Sequence, residues 1–282
     1  MVISEIMAAN PWLLFLFVFL LGLVVGSFLN VVILRFPVQL KYEWEKECAD
    51  YFEKPFNKEK PPGIALSRSH CPKCKSQLKS WHNIPLFSYL FLKGKCAFCK
   101  SKISPRYPGI EFLSAVLSLL LSVHFGYGVQ LLAALMLLWL MVAITWIDLD
   151  TFLIPDQLSL SLLWLGLFFS LFEVFVPVNQ AVIGALVGYL SLWTVFWLFK
   201  LATGKDGMGY GDFKLLSAGG AWLGAEPLIV VLVIASVTGL LAALAGKVLG
   251  QEGGKIPFGP YLSVGILVSL IWGEELLHWY LY

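Results

Sequence analysis

An all-α polytopic membrane fold, with eight transmembrane helices and one cytoplasmic loop subdomain, is predicted by three features of the sequence. Hydrophobic residues fill 59% of the 282 positions and charged residues only 13%, too apolar a balance for a water-soluble domain of this length. The charges are segregated: residues 11–34, 112–147 and 256–273 contain no Lys, Arg, Asp or Glu, 157–199 contains only Glu173, and 215–246 only Glu226. The basic residues are clustered, with 15 of the 20 Lys and Arg between Arg35 and Arg106.

A spanning helix needs roughly 20 apolar residues. Residues 11–34 therefore supply the first helix and 256–273 the last, while each of the three longer stretches holds a pair. The pairs break where tight turns are written: His124-Phe125-Gly126-Tyr127-Gly128, Pro177-Val178-Asn179-Gln180 and Gly224-Ala225-Glu226-Pro227. The sixth helix, beginning near Phe213, is diluted by Gly219 and Gly220. It is expected to cross, shortened and tilted by close glycine contacts, because a re-entrant segment would put Lys247 and Lys255 on the opposite side from the other basic residues.

Lys and Arg in short loops mark the cytoplasmic side. With the amino terminus outside and eight spans, all 20 face the cytoplasm, including Lys200, Lys205, Lys214, Lys247 and Lys255. The first span is expected to remain as an outside-to-inside anchor rather than a cleaved signal, since Glu5 is the only charge before Arg35 and a basic n-region is missing. The net charge of +2 follows from topology and gives no reason to expect nucleic acid binding.

Residues 35–110 are the only soluble segment large enough to fold. They carry 15 basic residues against six acids, all six between Glu43 and Glu59, which suits a loop near anionic headgroups with a solvated, charge-bearing helix face. The second half contains Cys71-Pro72-Lys73-Cys74 and Cys96-Ala97-Phe98-Cys99, separated by 21 residues. Four thiolates delivered in two tight turns suit tetrahedral zinc, the spacing lying just beyond the common range of roughly 15 to 20. Two disulfides are the competing reading, disfavoured in a reducing cytoplasm. A closed set of four cysteines leaves no position for a substrate water, so the zinc is expected to be structural. His70 could be a ligand but is not needed, and Cys48 has no partner.

Acids at the ends of spans are costly unless paired or hydrated, and are functional candidates by default. Asp148, Asp150 and Asp156 cluster after the third helix, and Asp212 ends Gly207-Met208-Gly209-Tyr210-Gly211-Asp212. All four fall at the cytoplasmic face. Asp156, after Pro155, reads as the N-cap of the fourth helix, and Asp150 as a solvated turn residue. Asp148 continues the apolar run of helix three and should project into the bundle. Asp212 could cap helix six, but the glycines before it free the backbone for positive φ or for close approach of a substrate strand. Two carboxylates at one depth can share a proton, the arrangement of aspartic proteolysis. The phosphate-loop pattern G-x-x-x-x-G-K-[ST] is missing.

These motifs, in this order, resemble the bacterial prepilin peptidases, or type IV leader peptidases, many of which are also N-methyltransferases. The resemblance is carried by Gly26-Ser27-Phe28-Leu29-Asn30, the two C-x-x-C pairs, Trp81-His82-Asn83-Ile84-Pro85, Arg106-Tyr107-Pro108, Glu111, Asp148 with Pro155-Asp156, and the Gly-x-Gly-Asp of residues 209–212. It implies that Asp148 and Asp212 are the catalytic pair. It also implies cleavage of the basic leader of prepilins and pseudopilins at the cytoplasmic face of the bacterial inner membrane, then methylation of the new amino terminus with S-adenosylmethionine. Gly94 matches a family position linked to the methyl transfer, although the sequence around it spells only a turn.

The expected organisation is a first transmembrane helix (1–34), a cytoplasmic loop with the zinc-binding cysteines and a methyltransferase region (35–110), and a seven-helix aspartic peptidase membrane domain (111–282). A transporter or assembly scaffold, using the aspartates as an ion site, and a methyltransferase alone are the readings from other classes. Oligomeric state is not written in the sequence.

Overall fold

A first helix of 41 residues, α1 (Pro11–Tyr51), is about 62 Å long at 1.5 Å per residue, twice the hydrocarbon thickness. It therefore crosses the membrane with its apolar first half and continues past Arg35 and Pro37 as a polar extension on which Lys41, Glu43, Glu47 and Asp50 are exposed. The computed structural model describes residues 10–64, 69–71, 73–248 and 256–281. Glu5, Arg68, Pro72 and Lys255, which entered the charge and motif readings, lie outside them.

After α1 come a short 3-10 turn (Ser80–Asn83), α2 (Phe87–Phe91), α3 (Arg106–Phe125), α4 (Val129–Thr151), α5 (Asp156–Ser170), α6 (Val178–Thr203), α7 (Tyr210–Leu223), α8 (Leu228–Val248) and α9 (Gly259–Leu281). Apart from α2, eight helices stand among the described residues in the places expected. Six of them, α1, α3, α4, α6, α8 and α9, are long and apolar enough to cross a membrane. The fold is thus an all-helical one of multiple membrane helices, and eight crossings do not follow from helix length: α5 has 15 residues and α7 has 14, about 22 Å at most against a core of about 30 Å. Charge-free runs locate helices but are blind to where the backbone breaks inside them. The break between α5 and α6 falls at 171–177, ahead of the expected turn, because Pro177 is already the residue before α6.

The chain divides into two compact units, Met1–Tyr127 and Gly128–Tyr282. In the first, α1 packs along α3 on a seam of small residues. A Cβ on Gly22 would sit 2.7 Å from the Cα of Ala115, and one on Gly26 2.8 Å from the Cα of Glu111, so the two backbones approach as small-residue membrane pairs do. Asn30 donates its side-chain N–H to the Tyr107 carbonyl at 3.1 Å, and Leu86 N–H donates to Glu111 Oε2 at 2.9 Å. The first bond joins the two helices directly, and the second ties the middle of the cysteine loop, between the two knuckles, to α3.

In the second unit α7 is the hub, in contact with α5, α6, α8 and α9. Every residue from Asp212 to Leu223 other than the half-buried Lys214 is buried, and a helix covered on all sides need not match the bilayer with its own length. Gly219 and Gly220, which weakened its reading as a span, permit that burial. Gly220 meets Gly184 of α6 backbone to backbone, leaving no room for a Cβ on either. Trp222 donates its indole N–H to the Leu162 carbonyl of α5 at 2.9 Å, and Ser217 donates to the Ala185 carbonyl of α6 at 2.8 Å.

Candidate active site and metal centre

Asp148 lies in the last turn of α4 and Asp212 in the first turn of α7, with only 4% and 7% of their surfaces exposed. Helix α4 delivers its acid by stopping three residues later, where Phe152 turns into the left-handed region (φ 55°) and its N–H closes on the Asp148 carbonyl. The loop 152–155 then brings Ile154 under the start of α7, where a Cβ on Gly211 would meet the Ile154 Cβ at 2.8 Å. The two carboxylates are near enough to interact electrostatically. Among the described residues no other pair of buried acids occurs in this unit.

A third group, invisible in the sequence, completes the arrangement. The backbone N–H of Gly259, at the start of α9, donates to Asp148 Oδ2 at 3.0 Å. A Cβ there would stand 2.6 Å from that oxygen and 2.9 Å from Ile154 Cδ1, so glycine is what lets the amide reach the carboxylate. Gly259→Ala is expected to displace Asp148 and lower the cleavage rate about 100-fold, the scale of a misplaced reacting group, while the unfolding temperature stays near that of the parent. Steady-state cleavage alongside a thermal melt checks this.

The neighbouring acids have other places. Asp156 is the first residue of α5 and makes no capping hydrogen bond. Its carboxylate instead receives the Lys214 ammonium at 2.7 Å on both oxygens, an ion pair joining α5 to α7. The expected N-cap is thus corrected: Pro155 occupies the cap position, and Lys214, two residues after Asp212, competes for the carboxylate. Asp150 is exposed at the end of α4. Asp212 is the third residue of α7 rather than its N-cap, which is Gly209, and its carboxylate turns back toward the Gly209 backbone. Of Gly204, Gly207, Gly209 and Gly211, only Gly204 takes positive φ, at the end of α6, and Gly209 sits at −84°.

In the first unit the four cysteines converge, and the sulphurs of Cys71, Cys74, Cys96 and Cys99 all lie within 4.8 Å of one another. Cys71 and Cys99 are 3.8 Å apart, the edge of a tetrahedron with metal–sulphur bonds of about 2.3 Å. The halves are copies. Each reads Cys-x-x-Cys-Lys-Ser, each first Cys N–H donates to the Ser carbonyl five residues on (3.0 and 2.9 Å), each Lys is left-handed (φ 55° and 57°), and each turn is closed by a bridge, His70 with Gln77 and Lys95 with Lys102. His70 is used in that bridge, outside the sulphur cluster. Hydrogen bonds, first that of the Cys74 backbone, pull the Cys71 thiol down to about 6. The Ser101 hydroxyl, 3.1 Å from Cys99 Sγ, leads those that lower Cys99. Such thiols are ready to bind a metal ion such as zinc, and none of the five cysteines is in a disulfide. Cys48 stands alone and exposed on α1.

Gly94 is left-handed (φ 66°), its N–H donating to the Tyr89 carbonyl and its carbonyl accepting from Ile103 at 2.8 Å. It borders an open hollow of about 470 Å³ shared with Tyr89, Lys93, Lys95 and Lys102.

Comparison with known sequences places these features. The bacterial peptidase A24 N-terminal domain matches residues 20–125 and the type IV leader peptidase family matches residues 134–244. The chain belongs to the type IV leader peptidase family. Members of this family named prepilin leader peptidase/N-methyltransferase align with nearly all of it: the Aeromonas salmonicida (strain A449) protein at 47% identity and the Aeromonas hydrophila protein at 48%, each over 98% of this chain and 97% of its own length. The Pseudomonas aeruginosa protein aligns at 44% over 100% and 98%. No solved structure matches the chain. The leader peptidase match covers Asp148 and Asp212, and the N-terminal match covers the four cysteines.

Proposed function

We propose that this chain is a bifunctional membrane enzyme. It cleaves the basic leader of prepilins and pseudopilins at the cytoplasmic face, with Asp148 and Asp212 as its catalytic carboxylates, and then methylates the new amino terminus. The observation that supports it most is the convergence of two buried acids from separate helices, with the Gly259 amide holding one of them.

The pair shares one proton. The ionised carboxylate takes a proton from a water molecule as the water oxygen bonds to the scissile carbonyl carbon, and the protonated carboxylate gives its proton to the carbonyl oxygen. Collapse of the gem-diol breaks the C–N bond, the leaving nitrogen is protonated, and the pair returns to its starting state. Burial of both groups strengthens these interactions by excluding bulk water. S-adenosylmethionine supplies the methyl group in the second reaction. Residues 35–110 are its proposed region, with Gly94 fixing a turn beside the hollow and Zn²⁺ on Cys71, Cys74, Cys96 and Cys99 giving this short loop its fold.

The proposed topology has eight spans, the amino terminus outside, and all 20 basic residues on the cytoplasmic side of the bacterial inner membrane. The buried surroundings of α7 support its crossing. A substrate with an apolar helix in the bilayer and a basic leader outside it would present its cut site at the level of the acids.

Purified protein in lipid discs, given a prepilin and S-adenosylmethionine, is expected to release the leader and add one methyl group to the new amino terminus, read by mass spectrometry. An inactive wild type would overturn the assignment. Cleavage that survives loss of Asp148 and Asp212 would favour a transport or scaffold role.

A further inference from the structure

The five-residue helix α2 buries none of its side chains. Leu90 is 70% and Phe91 85% exposed, and Phe87, Ile84 and Trp81 are also exposed. So short a helix has no intrinsic stability in water, and large apolar side chains concentrated in one exposed segment mark an interaction site. The surrounding charge is of one sign. Between Glu59 and Glu111 there is no acid, while Lys93, Lys95 and Lys102 line the hollow directly after α2 and Lys79 lies over the Trp81 ring at 5.1 Å.

The depth of this patch is set by a hydrogen bond. Leu86, the residue before α2, donates its N–H to Glu111. Glu111 is five residues into α3, a helix apolar and long enough to cross a membrane, which places it about 7.5 Å along the axis from Arg106. The start of α2 is thereby pinned beside the first turns of a membrane helix, where headgroups meet hydrocarbon and aromatic residues gather.

We propose that Trp81, Ile84, Phe87, Leu90 and Phe91 enter the headgroup layer of an anionic phospholipid leaflet, with Lys93, Lys95 and Lys102 on the phosphates. The loop is then a membrane-seated element rather than a free cytoplasmic one. A prepilin or a second copy of the chain is a less fitting occupant: the patch lies at bilayer level, and the lysines match the fixed negative charge of such lipids. The inference rests on the membrane placement proposed above and is independent of the peptidase chemistry.

The test uses full-length, zinc-loaded protein in vesicles of phosphatidylcholine and phosphatidylglycerol, with the photoreactive residue p-benzoylphenylalanine in place of Phe91. A phospholipid adduct on irradiation is expected. Its yield should fall about fivefold when Lys93, Lys95 and Lys102 are replaced by glutamine, or when phosphatidylglycerol is omitted. Attachment to a second chain or to added prepilin, no lipid adduct, or a yield indifferent to both lysines and lipid charge would overturn the proposal. The same probe in place of Leu186, exposed on α6, must give a lipid adduct in every case. Its failure would indict the membrane placement itself, and its success with failure at Phe91 would indict only the seating of α2.

Discussion

Asp148→Asn and Asp212→Asn are each expected to reduce leader cleavage about 1000-fold, within the range of a lost general acid or base, with little change in the unfolding temperature. Asparagine keeps the size of the side chain and an oxygen that can accept the Gly259 N–H, so the contact at 3.0 Å can persist while the shared proton is lost. Each variant fails for the same reason. Without Asp148 the Asp212 carboxylate has no partner with which to divide the roles of acid and base, and without Asp212 the same holds for Asp148. The neighbouring acids serve as controls. Asp156→Asn removes an ion pair with Lys214 that is half exposed on the Asp side, and pairs of that kind contribute roughly 1 kcal/mol or less. Asp150 is exposed at the end of α4. Both controls should retain most of the wild-type rate, and a parallel fall at all four positions would speak for general disruption of the unit.

Loss of the metal should be the largest single effect on stability in the molecule. Zinc bound to four thiolates contributes roughly 10 kcal/mol or more to small domains of this type, and regular structure among the described residues of 69–102 amounts to a 3-10 turn, one five-residue helix and two isolated bridges, with the Leu86 bond to Glu111 as a tether to α3. Cys71→Ser with Cys96→Ser, one from each knuckle, is expected to lower zinc content from one ion per chain to none and to open this segment to proteolysis. The α1–α3 pair, packed on its own small-residue seam, should survive. Methylation should fall to background while cleavage persists, because both proposed catalytic acids lie in the other compact unit. Metal analysis, limited proteolysis and mass analysis of the processed substrate read the three outcomes from one preparation.

Much of this was legible in the chain because membrane and metal impose coarse rules on sequence. The absence of charge locates helices, and the spacing of four cysteines locates the knuckles. Their internal duplication, Cys-x-x-Cys-Lys-Ser twice, was equally open to view and explains why each turn closes in the same way. Other features depend on contacts that no local pattern encodes. Gly259 reaches Asp148 through a backbone N–H across 111 positions, and nothing in Pro257-Phe258-Gly259-Pro260 marks it as more than a turn. Asp156 carries every mark of a cap, yet Lys214, distant in sequence, takes its carboxylate. The shortness of α7 reflects burial on all sides rather than weakness. At the site, physics narrowed the field to four acids, and the Gly-x-Gly-Asp resemblance selected the pair that the fold brings together.

The measurement that bears most directly on that pair is a double-mutant cycle on single-turnover cleavage, with wild type, Asp148→Asn, Asp212→Asn and the double variant in the same lipid discs. Two carboxylates that work as one proton-sharing unit lose their function once, so the double variant should be no slower than the slower single one. Losses that multiply would show that the two acids act independently, and the shared proton would have to be given up.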